Sequence, residues 1–253
     1  MTTIQFDPEL SLLLRVPHQE GAVRVPPGRR AAVKDMIEAC GVPHTEVGAI
    51  VADGVPIGFS HIPAPEARVS VAAPSPPVDV TRPTLLRPHA FDSVRFVVDV
   101  NVGKLASLLR MLGMDTCYRN GIDDAEIAEV AERQSRIVLT KDKALLKRRC
   151  IVFGRLVRER LPDRQLVEVL RFFGLAGPFI PFSRCLLCNA PLEAVAKAEI
   201  IHRLEPKTKK YYHRFTRCPD CDRIFWHGSH HDEMAARLRA LEIPLADRAA
   251  GRT

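Results

Sequence analysis

The chain has 253 residues, 46% hydrophobic and 26% charged, which is enough apolar material for a buried core but more length than one average domain of ~100–200 residues needs. No stretch approaches the ~18 uninterrupted apolar residues of a membrane span, and the opening MTTIQFDPEL has neither a basic n-region nor an apolar h-region; neither a membrane nor a secreted protein is expected, and a cytoplasmic one is. The formal charge of +7 is unevenly placed: residues 1–90 carry 8 Lys and Arg against 9 Asp and Glu, net −1, leaving 29 against 21, net +8, for residues 91–253. That asymmetry suits a phosphate-backbone partner for the second part, although a basic surface can also be merely solvated.

Residues 1–73 read as short strands around one helix. LSLLLRV and AVRV look like strands, and VRVPPGRRAAVKDMIEACGV places Val33, Met36, Ile37 and Cys40 on one helical face that stops at Gly41. GAIVADGVP, turning at Asp53 and Gly54, and ARVSVAAP complete an α+β unit that resembles a ubiquitin-like β-grasp. Seven prolines between Pro63 and Pro88 then mark residues 74–92 as a semi-rigid linker.

From residue 93 the rhythm changes to strand, helix, strand. VRFVVDV is a buried-strand pattern, and GKLASLLRMLG is a helix with Leu105, Leu108, Leu109 and Leu112 on one face. MDTCYR, RIVLT and CIVFG read as strands, and DDAEIAEVAERQ, DKALLKRR and LPDRQLVEVLRFFG as helices. Residues 93–176 are therefore an α/β domain with a mainly parallel sheet and flanking helices. Residues 177–234 form a cysteine-bounded segment, and residues 235–253 a short helix and a tail expected to be disordered beyond about Ala246.

Cys185 and Cys188 stand in RCLLCNAPL, Cys218 and Cys221 in RCPDCDRIF. Two CxxC turns can offer four thiolates to one tetrahedral zinc, and a site closed by four cysteines is structural. Two redox pairs or two disulfides are the rival readings, and His227, His230 and His231 compete as ligands with a plain polar loop. Cys40, Cys117 and Cys150 read as buried thiols. Between the knuckles, residues 184–217 carry 8 Lys and Arg against 3 Glu, interleaved with Tyr211, Tyr212 and Phe215. Lys207, Lys209, Lys210, Arg214 and the two tyrosines fit single-stranded RNA, as cations for phosphates and faces for bases; a solvated hairpin is the bland alternative.

Three acids fall where a parallel sheet gathers chemistry, at the carboxyl ends of strands. Asp99 ends VRFVVD, Asp142 follows RIVLT and Lys141, and Asp123 with Asp124 opens the intervening helix. Converging carboxylates suit magnesium or manganese, which can activate water against a phosphodiester. Asp123 with Glu126 also fits a capping box, and Asp142 a helix N-cap; Asp99, at the end of an apolar strand, is harder to explain structurally. Lys141, Lys143, Lys147, Arg148 and Arg149 are candidate phosphate contacts beside the acids. Gly103-Lys104 is not a P-loop, no GxGxxG follows a strand, and Asn101 stands where a haloacid-dehalogenase-like phosphatase needs its second aspartate.

The run FVVDVNVGKLASLLRMLGMDTCYRNGIDDAEIAEVAERQSRIVLTKDKALLKR, followed by LPDRQLVEVLRFFGL, RCLLCNAPL and FTRCPDCDRIFWHGSHHDEM, resembles the mut-seven carboxy-terminal ribonuclease domain, a PIN-like nuclease with an appended zinc ribbon. The resemblance covers residues 93–234, and the segment ending in SVAAPSPP is similar to the ubiquitin-like domain often found ahead of it. It implies a metal-dependent ribonuclease with Asp99, Asp124 and Asp142 as catalytic metal ligands and Cys185, Cys188, Cys218 and Cys221 on zinc. Val100 stands where some PIN-like relatives have a further acid, which implies a sparser cluster for one ion rather than two, and a non-catalytic RNA-binding adaptor is the alternative; a small-phosphate phosphatase is the weakest. The N-terminal unit lacks a terminal Gly-Gly, which points away from conjugation and towards docking a protein partner or presenting substrate.

Overall fold

The computed structural model describes residues 1–15, 21–26 and 31–246, so the tail expected to be disordered lies almost wholly outside the described residues. In the N-terminal unit, strands β1 (Thr2–Phe6), β2 (Ala22–Val25), β3 (Ala49–Ala52), β4 (Val55–Pro56) and β5 (Arg68–Ala72) form one sheet in the order β2-β1-β5-β3-β4. β1 and β5 run parallel at its centre, and helices α1 (Pro8–Ser11) and α2 (Val33–Cys40) accompany the sheet. Ile4, Phe6, Val69 and Val71 alternate inward to meet Val33 and Ile37 of α2.

The described part of LSLLLRV, residues 10–15, is not a strand. Asp7 caps a helical turn there, accepting from the Leu10 amide at 2.8 Å, with Pro8 in the first turn. The first strand lies earlier, in TTIQF, where only Ile4 and Phe6 carry the apolar alternation.

The central unit contains β6 (Phe96–Val98), α3 (Gly103–Met111), β7 (Thr116–Cys117), α4 (Asp124–Gln134), β8 (Ile137–Thr140), β9 (Gly154–Leu156) and α5 (Pro162–Phe172). Its sheet, ordered β7-β6-β8-β9, is parallel throughout, and every residue of β6 and β8 is buried. DKALLKRR does not make an α-helix; it contains a single 3-10 turn at Leu145–Lys147. Leu145 and Leu146 are drawn fully inward there, and the Lys143 and Lys147 ammonium groups are bonded to the N-terminal unit.

The third unit contains β10 (Glu193–Val195), α6 (Lys197–Ile200), α7 (Pro206–Tyr211), β11 (Phe215–Arg217), β12 (Ile224–Trp226) and α8 (Ser229–Ala240), with an antiparallel sheet β10-β11-β12. The chain then returns to the central unit, where Ala235, Leu238 and Ile243 join the core around Phe96 and Phe173. Residues 74–92 carry no regular element but lie against the protein: Val80 and Phe91 are buried, and the Val78 amide donates to the Phe172 carbonyl at 2.7 Å. Among the described residues no helix is long and apolar enough to cross a membrane.

The N-terminal and central units share one core. Leu145, Leu146 and Ile151 pack with Ile37, Val42 and Val47. Glu46, fully buried, meets the Arg155 guanidinium at 2.8 Å and accepts from the Leu156 amide at 2.8 Å. Arg87, from the Pro-rich segment, donates to the carbonyls of His44, Thr45, Val47 and Val152, and burial pulls its pKa down to about 10. Gly154 makes room within the central unit for Leu146 to reach this core, since a Cβ there would lie 2.6 Å from Leu146 Cδ2.

Candidate active site

β6 and β8 are neighbours at the middle of the parallel sheet, and their carboxyl ends place Asp99 and Asp142 at one edge. Asp99 is buried where β6 ends. Its Oδ2 accepts from Asn101 Nδ2 and Thr140 Oγ1, each at 2.5 Å, and among the described residues no hydrogen bond reaches Oδ1. Thr140 Oγ1 in turn accepts from the Asp142 amide at 2.8 Å, and Asn101 Oδ1 from the Lys141 amide at 3.0 Å. Two uncharged side chains, Asn101 and Thr140, thus tie the ends of β6 and β8 together and fix the Asp99 carboxylate. Reading the acids alone misses both; the signal for Thr140 is a fully buried hydroxyl at the end of an apolar strand.

Asp123 caps α4, accepting from the Glu126 amide at 2.8 Å, which leaves Asp124 in the first turn to face the other acids. Burial raises the Asp124 pKa, and the charges of Asp142 and Asp99 raise it further against the opposing pull of Arg148. Asp142 is half-buried, and its Oδ1 accepts from the Ala144 amide at 2.6 Å. The three acids named from sequence therefore lie near enough for Asp124 to feel the charge of the other two, and Asp123 takes the capping role.

The four cysteines form a tighter group: their sulfurs all lie within 4.8 Å of one another, with no histidine among them. Among the described residues, this is where three or more potential ligand atoms draw close enough for one metal, and the carboxylates do not close to that degree. Both knuckles fold alike. The Cys185 amide donates to the Ala190 carbonyl and the Asn189 amide to the Cys185 carbonyl; Cys218, Arg223 and Asp222 repeat the pattern. Asn189 and Asp222 adopt left-handed φ of 72° and 58°, which Asn and Asp tolerate better than most residues. His227 and His231 instead stack on each other at 4.0 Å, His231 beside Phe182, and neither joins the group of four thiols.

The first knuckle is joined to the central sheet. Arg110 donates to the carbonyls of Leu186 and Leu187 at 3.0 and 2.6 Å and to those of Thr116 and Tyr118, while Asn189 Oδ1 accepts from the Thr116 amide at 2.9 Å.

The cationic segment is more helical than a hairpin: Lys207, Lys209, Lys210 and Tyr211 lie on α7, which starts at Pro206 and buries Thr208. Tyr211 is 63% exposed, with the Lys210 ammonium 5.3 Å from its ring, and Arg214 is exposed. Tyr212 turns inward, 6.3 Å from the half-exposed Trp226, an aromatic partner that reading the basic run alone overlooks. Lys141 is exposed beside the acids, whereas the Lys143 ammonium donates to the Leu13 carbonyl at 3.1 Å.

In comparisons with protein families, residues 94–238 match the Mut7-C RNAse domain and residues 1–78 the Mut7-C ubiquitin domain. The chain belongs to the Mut7-C RNAse domain family. Its parallel-sheet and cysteine-bearing units together fill that match, and the mixed sheet with α2 fills the ubiquitin-like one. No curated protein and no solved structure matches the chain.

Proposed function

We propose that this Mut7-C protein is a metal-dependent ribonuclease, a PIN-like nuclease acting in the cytoplasm. The observation that carries the reading is that Asp99 and Asp142 stand at the carboxyl ends of the neighbouring strands β6 and β8 while Asp124, from a third element, lies near enough to feel both charges. The donor set fits a hard divalent ion, since all three groups offer carboxylate oxygens and Asp124 already feels the charge of the other two. Magnesium or manganese held by these residues would supply an activated water and stabilise the leaving oxygen of a phosphodiester.

The chain's own groups prepare the site. Asn101 and Thr140 orient Asp99 through Oδ2, leaving Oδ1 for an ion. Lys141 and Arg148 border the acids and attract the RNA backbone. Lys207, Lys209, Lys210 and Arg214 add cations on the cysteine-bearing unit and Tyr211 an exposed aromatic face, while Tyr212 packs inward behind it. Cys185, Cys188, Cys218 and Cys221 suit one zinc, which with four thiolates keeps no open position and is structural.

A non-catalytic RNA-binding adaptor is the second reading, favoured by Val100: it is 48% exposed beside Asp99, where an additional acid would have tightened the cluster. Incubating end-labelled single-stranded and hairpin RNAs in magnesium, manganese and chelator, with Asp99→Asn beside the wild type, separates the two. Cleavage that requires the ion and disappears in the variant is the expected result. Intact RNA with both proteins bound would sink the nuclease and leave the adaptor.

A further inference from the structure

We infer that the ubiquitin-like unit is itself part of the RNA-binding surface, with Arg15 extending the cationic rim of Lys143, Lys147 and Arg148 beside the acid cluster. The inference rests on the ribonuclease reading only for what the surface serves, because the rim is read by binding and not by cleavage.

The rim crosses the seam between the two units. Lys143 Nζ lies 3.1 Å from the Leu13 carbonyl and Lys147 Nζ 2.7 Å from the Glu38 carbonyl. Both partners are neutral oxygens, so neither ammonium is neutralised by its hydrogen bond. The Glu38 carboxylate, whose charge acts on Lys147, is also in contact with His44 Nδ1 at 2.6 Å. Arg15 is held at the same place: its amide donates to the Cys40 carbonyl at 2.9 Å, and its side-chain stem packs so close to Gly41 that a Cβ there would lie 3.1 Å from Arg15 Cγ. Burial pulls the Lys147 pKa down, and the positive charges of Arg15 and then Lys143 pull it further, against the opposing charge of Glu38. Arg148 continues the cations towards Asp124.

Cations gathered this closely repel one another, and a polyanion laid across them relieves that repulsion. RNA is the polyanion the position favours, because the rim borders carboxylates suited to a divalent ion on a phosphodiester. Rigidity makes the arrangement useful: the shared core, the Glu46–Arg155 pair and the four carbonyls on Arg87 fix Arg15 relative to Asp99. A tethered domain could present no such fixed charge.

The test uses the full chain in an Asp99→Asn background, so that bound RNA stays whole. Fluorescence anisotropy with a labelled single-stranded RNA is followed over a salt series for Arg15→Gln, Arg15→Glu and Arg148→Gln, with Arg68→Gln as a control on an exposed strand position. Arg15→Gln is expected to weaken binding about fivefold at low salt and to flatten the salt slope by about 0.7; Arg15→Glu weakens it more, and Arg68→Gln leaves it unchanged. Unaltered affinity and slope in both Arg15 variants, with Arg148→Gln impaired, overturns the inference, as does a parent protein that binds no RNA. Wild-type protein that cuts nothing while the Arg15 pattern holds defeats the ribonuclease reading alone.

Discussion

Asp99 shows how neutral neighbours can prepare an anionic site. Asn101 and Thr140 satisfy one of its oxygens without cancelling its charge, so the acid stays buried and still available to a cation. Asp124 pays for that arrangement, because its pKa is raised by burial and by its two acidic neighbours. A raised carboxyl pKa means that stability present below the unfolded value is lost as pH climbs through the folded one. In chelator, wild-type melting temperature should therefore fall relative to Asp124→Asn as pH rises from about 4 towards 7. Magnesium or manganese competes with protons for the same oxygens, so the gain in melting temperature on adding the ion should grow across the same window. Parallel melting curves for the two proteins throughout that range in chelator would show that Asp124 does not feel the other acids. Asp99 and Asp142 are legible from sequence because each follows an apolar strand; Asn101 and Thr140 are not, since their value lies in a link across two strands 40 residues apart.

At the scale of elements, legibility followed apolar density. β6 and β8 stand out as unbroken apolar runs, α3, α4 and α5 because apolar residues recur at helical spacing, and both knuckles announce themselves as CxxC followed by Asn or Asp. β1 does not, having two inward apolar side chains, and the leucines of LSLLLRV conceal the Asp7 cap that makes a helical turn of them. α7 is hidden for another reason: Pro206 starts it, and its lysines give no amphipathic signal. The knuckles also bear on the stability of the nuclease-like sheet. Arg110 and Asn189 join the first knuckle to β7, the edge strand, so metal that holds the knuckle also holds that edge. Zinc release measured colorimetrically should give about one ion per chain for the wild type and far less for Cys218→Ser. Circular dichroism melting of that variant should show the main transition lowered by several degrees and not merely a small local loss. A full zinc complement in Cys218→Ser, or an unmoved transition after zinc loss, would separate the knuckle from the fold.

The whole molecule turns on a seam that the chain's local patterns do not announce. Residues 74–92 read as a linker because prolines dominate them, yet Arg87 within that segment reaches four carbonyls on both sides of the joint. Glu46 looks like an ordinary surface acid in VPHTEVG, and its burial follows only from the approach of β9. Burial raises its pKa, which Arg155 offsets, so the pair is stable only while both partners are present. Glu46→Ala would leave the Arg155 guanidinium buried beside only Glu168, 3.3 Å away, and the Leu156 amide without its acceptor. Removing one partner of such a pair costs about 3–5 kcal/mol, or roughly 10 °C for a chain of this length. Glu46→Gln should cost less, because its amide oxygen can still accept from Leu156. Calorimetry is expected to show one transition for the wild type, with both units melting together, and a lower or divided one for Glu46→Ala; two separate transitions already in the wild type would mean that the shared core does not couple them. The same substitution reaches function through geometry: if Glu46→Ala frees the ubiquitin-like unit, Arg15 leaves the acid cluster, and RNA affinity should fall with the melting temperature although Glu46 itself is buried and touches no RNA.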